Sequence, residues 1–232
     1  DDWYEPEELD RPEHPWAGPE LRDYRDAFHY LQRVAAKYGF KGEFMANEAG
    51  AYSIHQNRTS SLISAKLLAR SILLHTDLGI PVFWNETVSL FRPAWQPFWS
   101  PTEPIMKPAY SYYVMRTLCT LTDGIRHADI KFEVDCEDTR IEKCSYVCPD
   151  GEAMIAFWIR EKSRKLAKDD YPPKRANVFV SGVAANSVVG YELLNGQEQE
   201  LESAILDGGT SIRNLLVRDY PLVIKLRKSR VD

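Results

Sequence analysis

Cysteine is scarce in this chain, and its four copies (Cys119, Cys136, Cys144 and Cys148) do not make the dense, regularly spaced set of a disulfide scaffold. Cys144-x-x-x-Cys148 lies in a strand-like stretch with no His and no second Cys pair at ligand spacing nearby. Half-buried strand cysteines are expected there rather than a metal centre. Long apolar runs are also missing. No stretch approaches the roughly 18–20 consecutive apolar residues that cross a bilayer, so no membrane partner is expected. Nor is there an excess of positive charge: 29 Lys and Arg stand against 34 Asp and Glu, a formal net charge of −5. Without a basic cluster to neutralise phosphates, nucleic-acid binding has no electrostatic basis. The sequence has no G-x-S-x-G elbow, no H-E-x-x-H helix, no P-loop and no G-x-G-x-x-G after a strand. No cofactor is expected. The five histidines are scattered, and His29 and His75 fall within helical patterns, where packing or surface roles suit them.

What remains is the composition of a folded globular protein, 44% hydrophobic and 27% charged over 232 residues. The opening Asp1-Asp2-Trp3-Tyr4-Glu5-Pro6 has neither the basic start nor the apolar stretch of a signal peptide, and no initiator Met. The chain therefore reads as beginning partway through a longer protein.

The first half alternates helix and strand patterns. Gly18 and Pro19 suit a helix start, Leu21, Tyr24, Phe28, Leu31, Val34 and Tyr38 recur at three- and four-residue steps, and Gly39 ends the run. Residues 42–47 read as a buried strand ending at Glu48-Ala49-Gly50. A second helix follows the hydroxyl residues Thr59, Ser60 and Ser61 and stops at Gly79. Ile80–Trp84 reads as the next strand, and a Pro- and aromatic-rich loop leads to a third helix from Pro108 to Leu121. Such alternation predicts a parallel sheet with helices on its faces. From residue 126 the pattern becomes period-two, as in Ile130-Phe132-Val134, Ala153-Ile155-Phe157, Val178-Val180, Val189-Tyr191-Leu193 and Leu222-Ile224-Leu226. The turn sequences Pro149-Asp150-Gly151, Asn195-Gly196 and Asp207-Gly208-Gly209 separate these strands, which predicts a β-sandwich. Two domains are expected, 1–125 and 126–232. The acids Asp129, Glu133 and Glu152 read as solvent-facing strand residues.

In a parallel α/β barrel the chemistry gathers at the C-terminal ends of strands. Glu48 occupies that position, and the small Ala49-Gly50 lets the backbone turn away. The same spacing also suits a Glu that caps a loop or pairs with a surface Lys. Trp84 and Glu86 share a face if the second strand continues that far. Trp84 suits either a sugar-stacking floor or a core position. Trp95 and Trp99, with Phe91 and Phe98, crowd a loop stiffened by Pro93, Pro97, Pro101 and Pro104. They suit a saccharide platform and a domain-joining contact equally.

The stretch Gly42-Glu-Phe-Met-Ala-Asn-Glu48-Ala-Gly-Ala-Tyr52-Ser resembles the strand-seven nucleophile motif of clan A glycoside hydrolases. The helix carrying Ala65-Lys66 and Ala69-Arg70 before Leu78-Gly79-Ile80 resembles their seventh barrel helix. Phe83-Trp84-Asn85 resembles strand eight, and Lys107-Pro108-Ala109-Tyr110 through Leu121-Thr-Asp-Gly124 resembles the last barrel helix. Val189–Gly196 and Tyr220–Lys225 are similar to the accessory sandwich of several members. The β-xylosidase/α-L-iduronidase-like family and its relatives come closest. The resemblance implies an α/β plus all-β fold: about strands seven and eight of a (β/α)8 TIM barrel with flanking helices, then a β-sandwich. It implies retaining hydrolysis of an oligo- or polysaccharide, with Glu48 as nucleophile. Asn47 and Trp84 would contact substrate, with Glu86, Trp95 and Trp99 as further contacts and Tyr4 as a residue orienting the nucleophile. The clan's acid/base Glu has no counterpart here, so the N-terminal part of the same barrel would be the chain's partner and the fragment alone inactive. A non-catalytic carbohydrate-binding or structural module is the alternative reading. A hydrolase of another type, using Glu48 and Glu86 as its carboxylate pair, is a third.

Overall fold

The computed structural model describes residues 23–49, 61–84, 110–137, 140–160 and 171–228. The first helix, α1 (Tyr24–Lys37), starts where Asp23 adopts extended backbone and its side chain accepts a hydrogen bond from the Arg25 N–H at 3.0 Å. Asp26 in the first turn and Lys37 in the last complement the helix dipole. Gly39, at φ +79°, takes the left-handed conformation that closes the helix. The start expected at Gly18 and Pro19 lies outside the described residues. There follow β1 (Ala46–Ala49), α2 (Ser61–Asp77), β2 (Val82–Trp84) and α3 (Tyr110–Leu121). The remaining strands are β3 (Arg126–His127), β4 (Phe132–Asp135), β5 (Ile141–Val147), β6 (Ala153–Ile159), β7 (Lys174–Ser181), β8 (Ser187–Glu192), β9 (Gln197–Glu200), β10 (Ser203–Leu206), β11 (Gly209–Val217) and β12 (Leu222–Arg227).

Two antiparallel sheets dominate. One has six strands in the order β3-β5-β6-β12-β8-β9, and the other has four in the order β10-β11-β7-β4. Strand β6 reads Ala-Met-Ile-Ala-Phe-Trp-Ile, and every one of its residues is buried. Period-two alternation sends Ala153, Ile155, Phe157 and Ile159 to a core shared with Phe132, Val178, Val180 and Ile212 of the four-stranded sheet. The intervening Met154, Ala156 and Trp158 join a second core with Ala65, Leu68, Ala69 and Leu73 of α2 and Val114 and Leu118 of α3. The result is three layers: four strands, six strands, then helices. The helices share this second core with the sheet across residue 125.

The barrel expectation is corrected by this arrangement. Among the described residues there are three helices and one parallel pair, β1 with β2, beside antiparallel sheets of six and four strands. The chain is sheet-rich and is not the end of a (β/α)8 barrel with flanking helices. The physical reason lies in α2. Residues 65–70 are all buried, as are Leu73, Leu74 and His75, so the helix needs apolar cover around much of its girth. The outer face of the six-stranded sheet supplies it, through Tyr146, Met154 and Trp158. A helix–strand alternation specifies that helices cover a sheet, and here that sheet is largely antiparallel.

Polar groups fix the helix layer in place. Tyr146, fully buried, donates its hydroxyl to the Leu73 carbonyl at 2.7 Å. Lys66 on α2 pairs with Asp219, in the connection between β11 and β12, at 2.8 Å and 3.0 Å. Both side chains of that pair are buried, and geometry of this quality is what such a pair requires to offset desolvation.

The two-sided burial of β6 predicts a sharp contrast between sheet positions. Phe157→Ala, which empties a fully buried site between the sheets, should cost about 3–5 kcal/mol. Leu216→Ala, at a side chain 57% exposed on β11, should stay within about 0.5 kcal/mol. Urea unfolding of both variants checks this.

Candidate functional site

Strands β1 and β2 run parallel, with Ala46 opposite Val82 and Ala49 opposite Trp84. Three residue steps on β1 match two on β2, so the register breaks at Asn47 and Glu48. Irregularities of this kind re-aim a side chain and recur beside functional sites. Because the strands are parallel, their C-terminal ends lie side by side, and Glu48 and Trp84 occupy neighbouring positions there. Glu48 sits within β1 rather than just beyond it, since the strand spans 46–49 and residues 42–45 are not part of it. The structure thus brings Asn47, Glu48 and Trp84 to one strand end. Tyr4, Glu86, Trp95 and Trp99 lie outside the described residues.

Both strands are anchored from behind. The Ala46 N–H donates to the Pro81 carbonyl at 2.9 Å, which ties the start of β1 to the residue before β2. On the approach to β1, Phe44 meets Phe28 of α1 edge-on at 5.5 Å and Phe40 at 5.2 Å. Ahead of β2, Gly79 at φ +68° ends α2, and the Ile80 N–H caps the His75 carbonyl at 2.9 Å.

A charged cluster absent from the sequence reading joins the helices to the six-stranded sheet. Arg25 on α1 donates from Nη1 to Asp77 of α2 and from Nε to Glu142 of β5 at 2.8 Å. Its Nη2 reaches the Lys143 carbonyl at 3.0 Å and the Cys144 sulfur at 3.1 Å. Asp77 also accepts from the Ser145 N–H and from His127 Nδ1, each at 3.0 Å. Arg160 pairs with Asp23 at 2.6 Å and lies 3.6 Å from Glu142. Burial disfavours the charged form of Arg25, but the carboxylates of Asp77 and Glu142 outweigh it and hold the guanidinium ionised. Burial, reinforced by Asp77, pushes the Cys144 thiol well above its ordinary value despite Arg25 nearby. Cys144 is therefore a neutral thiol with no nucleophilic character. The cluster matches anions to cations and has the chemistry of a clamp. One sequence signal pointed to it: Asp77 stands in the last turn of α2, where the helix dipole disfavours a carboxylate unless cations meet it. Among the described residues no three His, Cys, Asp or Glu side chains are grouped to hold a metal ion.

His75 completes the contact between α1 and α2. Its Nδ1 lies 2.7 Å from the Ser71 carbonyl, which can only accept, so Nδ1 carries the proton. Nε2 then accepts from the Tyr24 hydroxyl at 2.8 Å. Burial lowers the His75 pKa below its ordinary 6.5, and the Ser71 carbonyl offsets this only in part. The folded state thus binds fewer protons than the unfolded state, and stability rises with pH in this window. The contribution is present above about 6.5 and is lost as pH falls below it, toward the lowered folded value. Urea midpoints measured from pH 7.5 to 5 should decline, and His75→Gln should flatten that slope.

No family model matches the chain, and no curated protein matches it.

Proposed function

We propose that this chain carries the nucleophile of a retaining glycoside hydrolase acting on an oligo- or polysaccharide, with Glu48 as that nucleophile. One observation carries the reading: the parallel register that sets Asn47-Glu48 beside Phe83-Trp84 at one end of two adjoining strands, with the register shifting between Ala46 and Ala49. The likeness of Gly42–Ser53 and Phe83–Asn85 to the clan A strand-end motifs supports it. The barrel of that clan is not carried over, and the proposal rests on the chemistry of the strand ends.

In the reaction so proposed, the Glu48 carboxylate attacks the anomeric carbon as the glycosidic C–O bond breaks. The leaving oxygen takes a proton from a second carboxyl group, which retaining enzymes place about 5–5.5 Å from the first. Water then cleaves the glycosyl ester and returns Glu48 to its ionised form. Trp84 would provide the face on which the sugar at Glu48 stacks, and Asn47 a hydrogen bond to it. The motif likeness alone supports Tyr4 as the group that orients the nucleophile and Glu86, Trp95 and Trp99 as further saccharide contacts.

In the enzyme that carries this chain, Glu48→Gln should lower turnover by several orders of magnitude while leaving the fold intact, because an amide forms no glycosyl ester. Glu48→Gly should regain turnover of an activated aryl glycoside when azide is added, yielding an azido sugar of inverted configuration. A fluorosugar inactivator should label the peptide containing Glu48. Trp84→Ala should weaken saccharide binding beyond any loss of stability. Label on another peptide, together with near-normal turnover in Glu48→Gln, would return the chain to the class of non-catalytic carbohydrate-binding or structural modules.

A further inference from the structure

The margins of the two antiparallel sheets differ in charge. The six-stranded sheet ends on Arg126 and His127 of β3 at one side and on Glu198 and Glu200 of β9 at the other. The four-stranded sheet ends on β4, with Glu133 and Asp135, and on β10, which reads Ser203-Ala204-Ile205-Leu206. Among the described strands, only this last margin is uncharged. Its four residues are all exposed, with Ile205 at 53% and Leu206 at 45%. Strand margins are ordinarily guarded by shortness, charge, proline or a bulge, and β10 has the first of these, four residues between Glu202 and Asp207. β10 has no charge and no proline, and its pairing with β11 runs unbroken from Ser203↔Ile212 to Leu206↔Gly209. Among the described residues no strand pairs with its outer side.

We propose that β10 pairs antiparallel with β10 of a second copy, extending the four-stranded sheet to eight strands across a two-fold axis. The sequence of the margin selects both the occupant and the register. Ser203 and Ile205 stand opposite Ile212 and Thr210, which are fully buried, so both lie on the inner side of the sheet. A two-fold axis perpendicular to a sheet keeps inner side with inner side, so only residues of equal parity can face each other. Centring the axis on Ala204 would set Glu202 against Leu206 and Ser203 against Ile205. Centring it on Ile205 sets Ile205 against Ile205 and Ala204 against Leu206, and leaves Asp207 facing Ser203. The second register joins apolar to apolar and opposes no like charges. A charged partner strand would instead place its charges against Ile205 and Leu206 without a counter-charge from β10. The contact is short, which puts it with transient, concentration-dependent associations.

Sedimentation velocity of the full chain over a concentration series should show a monomer–dimer equilibrium. Ile205→Lys should abolish the concentration dependence, while its unchanged urea midpoint shows that the exposed position leaves the fold intact. In a chain carrying Cys119→Ser and Cys136→Ser, Ile205→Cys should form a covalent dimer under mild oxidation. Directly opposed antiparallel residues have Cα atoms about 4.5–5.5 Å apart, within the span a disulfide bridges. Ala204→Cys, one register step away, should crosslink many-fold less. A chain that stays monomeric at all concentrations overturns the proposal, as does a dimer that Ile205→Lys leaves unchanged or equal crosslinking from the two cysteines. A monomer that takes up an added strand-forming peptide at β10 overturns it as well, and reassigns the margin to a peptide partner.

Discussion

Strand β6 has no side left for water, and the molecule is organised around that constraint. An isolated strand of Ala, Met, Ile, Phe and Trp must bury both of its faces, and alternation divides the demand into two unlike halves. Ile155 and Phe157 find β-branched and aromatic partners on a second sheet, where pleated surfaces interdigitate. Met154 and Trp158 find the helices, whose curved surfaces leave irregular gaps that a flexible thioether and a broad indole fill. Because α2 is held against this outer face, β2, which follows it after Gly79, is held as well, and β1 is paired to β2.

Apolar burial alone would let α1 and α2 slide over the sheet, since hydrophobic contact is not directional. The polar contacts remove that freedom. Arg25 uses Nε, Nη1 and Nη2 on four different partners, so its planar fork fixes α1 in rotation as well as in distance. Asp77 accepts from a helix and two strands at once through Arg25 of α1, Ser145 of β5 and His127 of β3. The Lys66–Asp219 pair does the same work at the far side of α2. Buried pairs of this kind give little net stability relative to apolar substitutes. Their effect here is to select one alignment of helices on sheet among several that would bury similar area.

Local pattern was legible in the sequence to different degrees. Helix α2 could be read from its apolar density and from Gly79, whose positive φ matches a C-terminal cap. Strands with an alternating face, such as Val178-Val180 in β7 and Leu222-Ile224-Leu226 in β12, could be read from period two. Strand β9 could not, because Gln197-Glu198-Gln199-Glu200 is exposed on all four residues and carries no apolar face. The barrel inference failed at a different level. The order of helices and strands in residues 1–125 states that helices lie on a sheet, but not which strands make it. The answer depends on β5 and β6, residues distant in sequence that own the surface α2 needs. Arg25 escaped notice for the same reason. Nothing local marks one arginine of an exposed-looking helix as the partner of Asp77 and Glu142, more than fifty and more than a hundred residues away.

The expectation at Glu48 rests on a local signal, a carboxylate in a short strand followed by two small residues. The structure adds a feature no pattern announces, the broken register between Ala46 and Ala49. In a regular parallel pair, each residue of β1 would advance in step with β2, and successive side chains would alternate between the covered and open sides. A three-against-two step departs from that regular advance between Ala46 and Ala49, the segment that contains Asn47 and Glu48. If Glu48 is the nucleophile proposed above, a backbone irregularity in this segment uncouples its direction of attack from the faces that bury the strand.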